Sequence, residues 1–188
     1  MNEIAFRLAS RLFDKPIIEN QYRSAFVEAM IEPCLSENRW RYTGDSWCGW
    51  DFQRADGARL EVKQSAAVQP WSEARNIATK GAFDIASRTG YFSENGAKWS
   101  AIPGRPADVY VFAWNPESDH RDPDNWVFFV VPTAVLPAQK TISLSKIRGL
   151  AERSGQSEPL KLSQLAVRVV EVLGESVPAR IDSTPLPA

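Results

Sequence analysis

Histidine and cysteine are almost missing from this chain: it has one histidine, His120, and two cysteines, Cys34 and Cys48, in 188 residues. So few leave no disulfide framework and no cysteine-based or multi-histidine metal site. No stretch approaches the roughly 18 uninterrupted apolar residues of a membrane span. The first residues carry no succession of basic, apolar and small residues of the kind an export signal shows. A cytoplasmic, reduced protein with no membrane partner is the expectation. An excess of charge of one sign is missing too, since 22 basic side chains stand against 23 acidic ones. That balance excludes a strongly basic nucleic-acid coat protein, although an enzyme acting on nucleic acid needs only a local basic face. Internal repeats and low-complexity blocks are also lacking.

What is present predicts one α/β domain over residues 1–175, a central mixed β-sheet flanked by helices, and a flexible proline-rich tail over 176–188. Apolar positions at Ile4, Ala5, Leu8, Leu12 and Phe13 have helical spacing, which Pro16 interrupts. A second helix carries Ile17, Ile18, Tyr22, Ala25, Phe26, Ala29 and Met30 on one side, with Pro33 after its end. From Trp40 to Ser65 the pattern alternates, with Ala55-Asp56-Gly57 as a turn signal. Ala74, Ile77, Ala78, Gly81, Ala82 and Ile85 then repeat at helical intervals and predict an amphipathic helix ending near Gly90. Residues 107–114 and 126–131 are nearly continuous apolar runs, as expected of strands buried on both faces. A short strand from Thr141 to Leu144 leads into a helix from about Lys146, capped by Ser145. A last helix over 162–173 stops at Gly174.

The informative segment is Trp50-Asp51 followed by Leu60-Glu61-Val62-Lys63-Gln64. Glu61 and Lys63 are two apart on a strand, so they share a face. The place of Asp51 depends on how the hairpin closes. A three-residue loop, Ala55-Asp56-Gly57, with Gly57 left-handed, pairs Arg54 with Ala58 and sets Asp51 opposite Glu61. A two-residue turn would face Asp51 away from Glu61. The hydrophobic pattern favours the longer loop. It collects Trp50, Phe52, Leu60 and Val62 on one face and Asp51, Gln53, Arg59, Glu61 and Lys63 on the other.

Two carboxylates in that register have Cβ atoms about 4.5–5.5 Å apart and repel unless a positive group lies between them. A divalent ion with hard oxygen ligands, such as Mg²⁺, relieves the repulsion, and Lys63 stands one pleat along to hold a water or a phosphate oxygen. A second reading has equal weight on spacing alone: a surface strand on which Lys63 simply neutralises two carboxylates.

The order of these elements, Asp51 then Glu61-Val62-Lys63 on a hairpin after one helix and before another, resembles the PD-(D/E)xK nuclease superfamily. The likeness covers about residues 17–131, with Trp50 where the family motif has proline. It implies a restriction-endonuclease-like fold and Mg²⁺- or Mn²⁺-dependent hydrolysis of DNA, endonucleolytic before exonucleolytic. Asp51 and Glu61 would be metal ligands, joined by the Val62 carbonyl and an acid from the preceding helix, Glu28 before Glu19. Lys63 would position water or offset charge on the phosphorus centre. Gln64 and Ser65 would contact phosphate or orient water, unless they only satisfy backbone groups.

For the helix expected over Ser72–Thr89, the resemblance implies a position beside the DNA. Its cations Arg75, Lys80 and Arg88, with Arg105, are the candidate phosphate contacts; a solvated face with an ordinary Asp84–Arg88 pair is the plainer alternative. Trp47, Trp50 and Trp71 bracket the motif and are read as packing residues instead of base-stacking ones. Asp108 opens a buried strand and needs a partner, such as an arginine or a turn. The stretch Asp119–Asp124 reads as a solvated connection, and His120 as a general base is a remote prospect. The near-neutral charge weighs against tight non-specific DNA binding and suits a homodimer or an accessory DNA-recognition subunit. Two other readings stand beside the nuclease: a non-catalytic member of the same fold that binds DNA or a protein, and a small-molecule phosphohydrolase or stress protein with a closed neutral pocket.

Overall fold

Two runs rich in β-branched and aromatic residues form the centre of the fold, β7 (Val109–Asn115) and β8 (Val127–Pro132). Every residue of β7 is buried, as expected of a strand covered on both faces. The computed structural model describes residues 2–44, 47–73, 78–93 and 96–174. Arg75 and the tail from 175 onward lie outside the described residues, so the expectations that fell on them have no structural counterpart.

β7 pairs antiparallel with β8 on one side and parallel with β3 (Arg59–Ala66) on the other. β2 (Phe52–Arg54) and β1 (Trp40–Tyr42) complete a five-stranded mixed sheet in the order β1-β2-β3-β7-β8. Two small ribbons stand beside it, β4 (Ala82–Asp84) with β9 (Thr141–Ser143) and β5 (Tyr91–Ser93) with β6 (Lys98–Ser100). One face of the sheet packs Leu60, Val62 and Val111 against α2 (Asn20–Ser36) and α5 (Leu162–Leu173), through Val27, Ile31, Leu35, Leu165 and Val169. The other face packs Tyr110, Phe112 and Phe129 against Phe83, Ile85 and α4 (Leu144–Arg153). A fully buried side chain of this kind contributes about 1.5–3 kcal/mol. The mixed α/β expectation is therefore met at the level of a central mixed sheet with helices on both faces.

Four local expectations need correction. α2 does not stop before Pro33 but runs through it to Ser36, because Ile31 and Leu35 continue the buried stripe that Val27 begins. The amphipathic helix expected up to Gly90 is limited, among the described residues, to a short turn, α3 (Pro70–Glu73). Further on, Phe83 and Ile85 are buried while Ala82 and Asp84 are exposed, a period of two that pairs with β9. Gly81, Ala82 and Ile85 fit a helical period equally well in sequence, and the backbone partners offered by β9 decide between the two. α4 begins earlier than expected, with Ser143 as its cap, accepting from the Lys146 N–H at 3.4 Å. Finally, Trp47 and Trp71 are exposed and not packed, whereas Trp50 is core. α1 (Glu3–Phe13) and α5 match their expected spans, and Gly174 ends α5 with a positive φ. Among the described residues no helix is long and apolar enough to cross a membrane.

Candidate active-site cleft

The hairpin closes through the expected three-residue loop. Arg54 N–H donates to Ala58 O at 2.9 Å, Gly57 has φ +92°, and the ladder pairs Gln53 with Arg59 and Phe52 with Leu60. One residue further the register departs from expectation. Asp51 is not set opposite Glu61; its N–H donates to Leu60 O at 3.0 Å, so Asp51 and Phe52 both stand against Leu60. This is the arrangement of a β-bulge, which re-aims side chains and parts the strands.

The bulge has two consequences. Trp50 changes face: it leaves Phe52 and joins Tyr110 and Phe112 on the side that carries Glu61 and Lys63. There Arg59 lies over its ring at 3.8 Å, and its Nε1 donates to Gln53 Oε1 at 3.2 Å. Asp51, in turn, reaches the strand edge, where its Oδ2 accepts the Val62 N–H at 2.7 Å. The Val62 carbonyl belongs to that same backbone edge.

The edge opens into a cleft of about 660 Å³ whose lining includes Glu28, Asp51, Lys63, Gln64, Lys80 and Asp84. Lys63 and Asp84 also border a small recess on the other side, together with Glu61, Arg88 and Arg105. Glu28 comes in from the buried face of α2 and accepts from Tyr42 Oη at 2.8 Å. Lys63 Nζ forms an ion pair with Glu61 Oε1.

The electrostatics reflect this crowding. Burial holds the Asp51 carboxyl well above the usual carboxylate range, and repulsion from Glu61 and Glu28 adds to it against the opposing Val62 N–H and Lys63. Burial likewise raises Glu28, with Glu61 adding and the Tyr42 hydroxyl and Lys63 opposing. For Lys63, burial works against the ammonium, but Glu61, Asp51 and Asp84 more than offset it and its pKa lies above the ordinary lysine value. Three acids and one lysine thus sense one another at the end of β3.

The remaining expected residues take varied places. Gln64 is tied to α2: its Oε1 accepts from Arg23 Nε at 2.5 Å and its Nε2 donates to Asn20 Oδ1 at 3.3 Å. Glu19 immediately precedes α2 as its N-terminal flanking residue. Ser65 is buried in the cleft wall. Lys80 is exposed at the cleft, while Arg88 pairs with Asp84 at 2.9 Å. Arg105 donates to the carbonyls of Ile85 and Pro137 at 2.7 and 2.6 Å and so fastens two loops together. Asp108 accepts the Arg59 N–H at 2.8 Å and caps the start of β3. His120 is buried away from the cleft, its Nδ1 accepting the Ile18 N–H at 3.1 Å.

Sequence reasoning missed Arg23, Tyr42 and Asp84. Arg23 is buried in the cleft wall and donates to Gln64, Gln69 and Asn20; burial draws its pKa down to about 10. Its signal was available, because Arg23, Val27, Ile31 and Leu35 form one i,i+4 row. Tyr42 and Asp84 had no comparable signal, since each meets the site through strand pairing at long range.

Compared with known proteins, the chain matches no family model, no curated sequence and no solved structure.

Among the described residues, no group of three or more His, Cys, Asp or Glu side chains is arranged to hold a metal ion by itself. The donors nearest to such a set are the carboxylates of Asp51 and Glu28. Their mutual repulsion and raised pKa values are what a hard cation relieves. Mg²⁺ is usually bound through one or two carboxylates completed by water and substrate phosphate, so this donor chemistry fits it.

Proposed function

We propose that the chain is a metal-dependent phosphodiesterase of the PD-(D/E)xK type that hydrolyses DNA in the cleft at the end of β3. One observation carries the reading: Glu28, Asp51 and Lys63 line one open cleft, and the ionisation of each is shifted there by burial and neighbouring charge. Ionisable groups shifted by burial and by specific charge partners in a cleft are candidates for a functional site.

In this reading Asp51 and Glu28 hold a Mg²⁺ or Mn²⁺ ion, with Glu61 and the Val62 carbonyl beside them. A divalent ion bound there supplies Lewis acidity to a phosphodiester and acidifies water. Lys63 keeps its proton at neutral pH, because Glu61, Asp51 and Asp84 stabilise the ammonium. It therefore acts as a fixed positive charge toward a phosphoryl oxygen, and Glu61 fixes its direction. Gln64 and Arg23 have a positioning role, locking α2, and hence Glu28, onto β3. The hydrogen bond from Tyr42 orients the Glu28 carboxylate.

A second reading draws on the Glu61–Lys63 ion pair and the lack of a three-acid group among the described residues: a non-catalytic domain of the same fold. Cleavage of plasmid, linear duplex and single-stranded DNA with Mg²⁺ or Mn²⁺ separates the two. The expected result is cutting by the wild type and a loss of about 10²–10³-fold in kcat for Lys63→Ala. No cutting of any substrate, with a thermal midpoint indifferent to either metal, decides for the non-catalytic domain.

A further inference from the structure

Trp71 lines the same cleft as Asp51 and Lys63, yet 62% of its surface is exposed. An indole left this far in water contributes little to the core, and it shares the cleft lining with Arg23, Lys63 and Lys80. An exposed aromatic face is therefore available in the lining of the cleft that holds Asp51 and Lys63.

Charge in the cleft argues in the same direction. Among its described residues the cations Arg23, Lys63 and Lys80 are matched by Glu28, Asp51 and Asp84. Arg23 is buried on amide oxygens, Arg88 is paired with Asp84, and Arg105 is committed to loop carbonyls. Gripping a duplex by its backbone takes several phosphate contacts made by available cations. Stacking of bases on aromatic side chains supplies affinity without them, but it requires bases that are not paired and stacked in a duplex.

Resting on the phosphodiesterase reading, we infer that the substrate is DNA with unpaired nucleotides, a single strand or a single-stranded overhang, with one base stacked on Trp71 beside the phosphate offered to Lys63. Trp71 is then the residue that selects single-stranded over duplex DNA.

The test compares wild type, Trp71→Ala and Trp71→Phe on a labelled single-stranded oligonucleotide and on the blunt duplex of the same sequence. Binding is measured with Ca²⁺ and cleavage with Mg²⁺ or Mn²⁺. The wild type is expected to bind and cut the single strand in preference to the duplex. Trp71→Ala should weaken Kd and KM for the single strand roughly 5- to 150-fold, the range of one lost base stack, with kcat nearly unchanged. Trp71→Phe should recover most of the loss, and because the side chain is exposed, all three proteins should share one thermal midpoint. Equal or tighter binding of the blunt duplex, or an unchanged Kd in Trp71→Ala, overturns the inference. If wild type then still cuts DNA and Lys63→Ala does not, the phosphodiesterase reading survives that failure. If neither substrate is bound or cut, both fall together.

Discussion

The carboxyl group of Asp51 is held where its own ionisation is disfavoured by burial and by the neighbouring charges of Glu61 and Glu28. A group whose pKa is raised by the fold binds its proton more tightly in the folded state, so its contribution to stability is lost as pH rises above the ordinary carboxylate range. Asp51→Asn removes the ionisable group and retains a carbonyl oxygen for the Val62 N–H. In a chelating buffer the variant is expected to melt a few degrees above wild type, a gain on the order of 1 kcal/mol, while losing both cleavage and the stabilisation by Mg²⁺ or Mn²⁺. A lower midpoint for Asp51→Asn would show that Asp51 serves the fold through its charge. At this scale part was legible: Glu61 and Lys63 share one face of β3, as their spacing implied, whereas Asp51 does not stand opposite Glu61 as the alternation predicted. The face of Trp50 was not legible, because the bulge at Asp51–Phe52 reverses the alternation on which the assignment rested.

Among the elements, the hairpin and α4 give the same substitution opposite signs. Gly57 occupies the left-handed region at φ +92° in the loop that fixes the β2–β3 register. Gly57→Ala is expected to cost about 1–2 kcal/mol, lowering the thermal midpoint by a few degrees. Gly149 lies inside α4, where an added Cβ would meet the flexible end of Arg153 at 3.5 Å and nothing closer. Gly149→Ala should therefore stabilise by about 0.5–1 kcal/mol through helix propensity and a less disordered unfolded chain. Thermal unfolding of both variants beside wild type tests the pair, and a shared sign would contradict the backbone argument. The long elements were legible because each repeats one period over many residues. The stretch around Gly81–Ile85 was not, since five residues satisfy two periods and only pairing with β9 selects one.

On the scale of the whole molecule, His120 joins the polar connection before β8 to the segment between α1 and α2. Its Nδ1 accepts from Ile18, its backbone carbonyl accepts from Trp126 Nε1 at 2.8 Å, and its N–H reaches Pro16 O at 2.7 Å. Burial, with Arg23 nearby, draws its pKa down to about 4. In the unfolded chain the imidazole takes up its proton near the ordinary value of about 6.5, so between these values the unfolded state binds more protons. Stability is then complete above about pH 6.5 and falls as pH drops toward about 4, by on the order of 3 kcal/mol from this group. His120→Asn, which keeps an acceptor for Ile18, should be less stable near neutrality and lose less across that window. Urea midpoints of both proteins at about pH 7 and about pH 4.5 give the comparison, and parallel losses would remove His120 from the account.

The sequence by itself determined the element types of most long segments, the strand pair buried on both faces, the hairpin loop and the shared face of Glu61 and Lys63. These follow from periodicity, turn chemistry and residue type, which act over a few neighbours. The parallel pairing of β3 with β7, the bulge that turns Asp51 toward Val62, and the arrival of Arg23, Tyr42 and Asp84 at the cleft were decided only by tertiary structure. They depend on which distant backbone groups find partners and which side chains share one buried space. Contacts of that kind connect residues far apart in the chain and leave no local period to read.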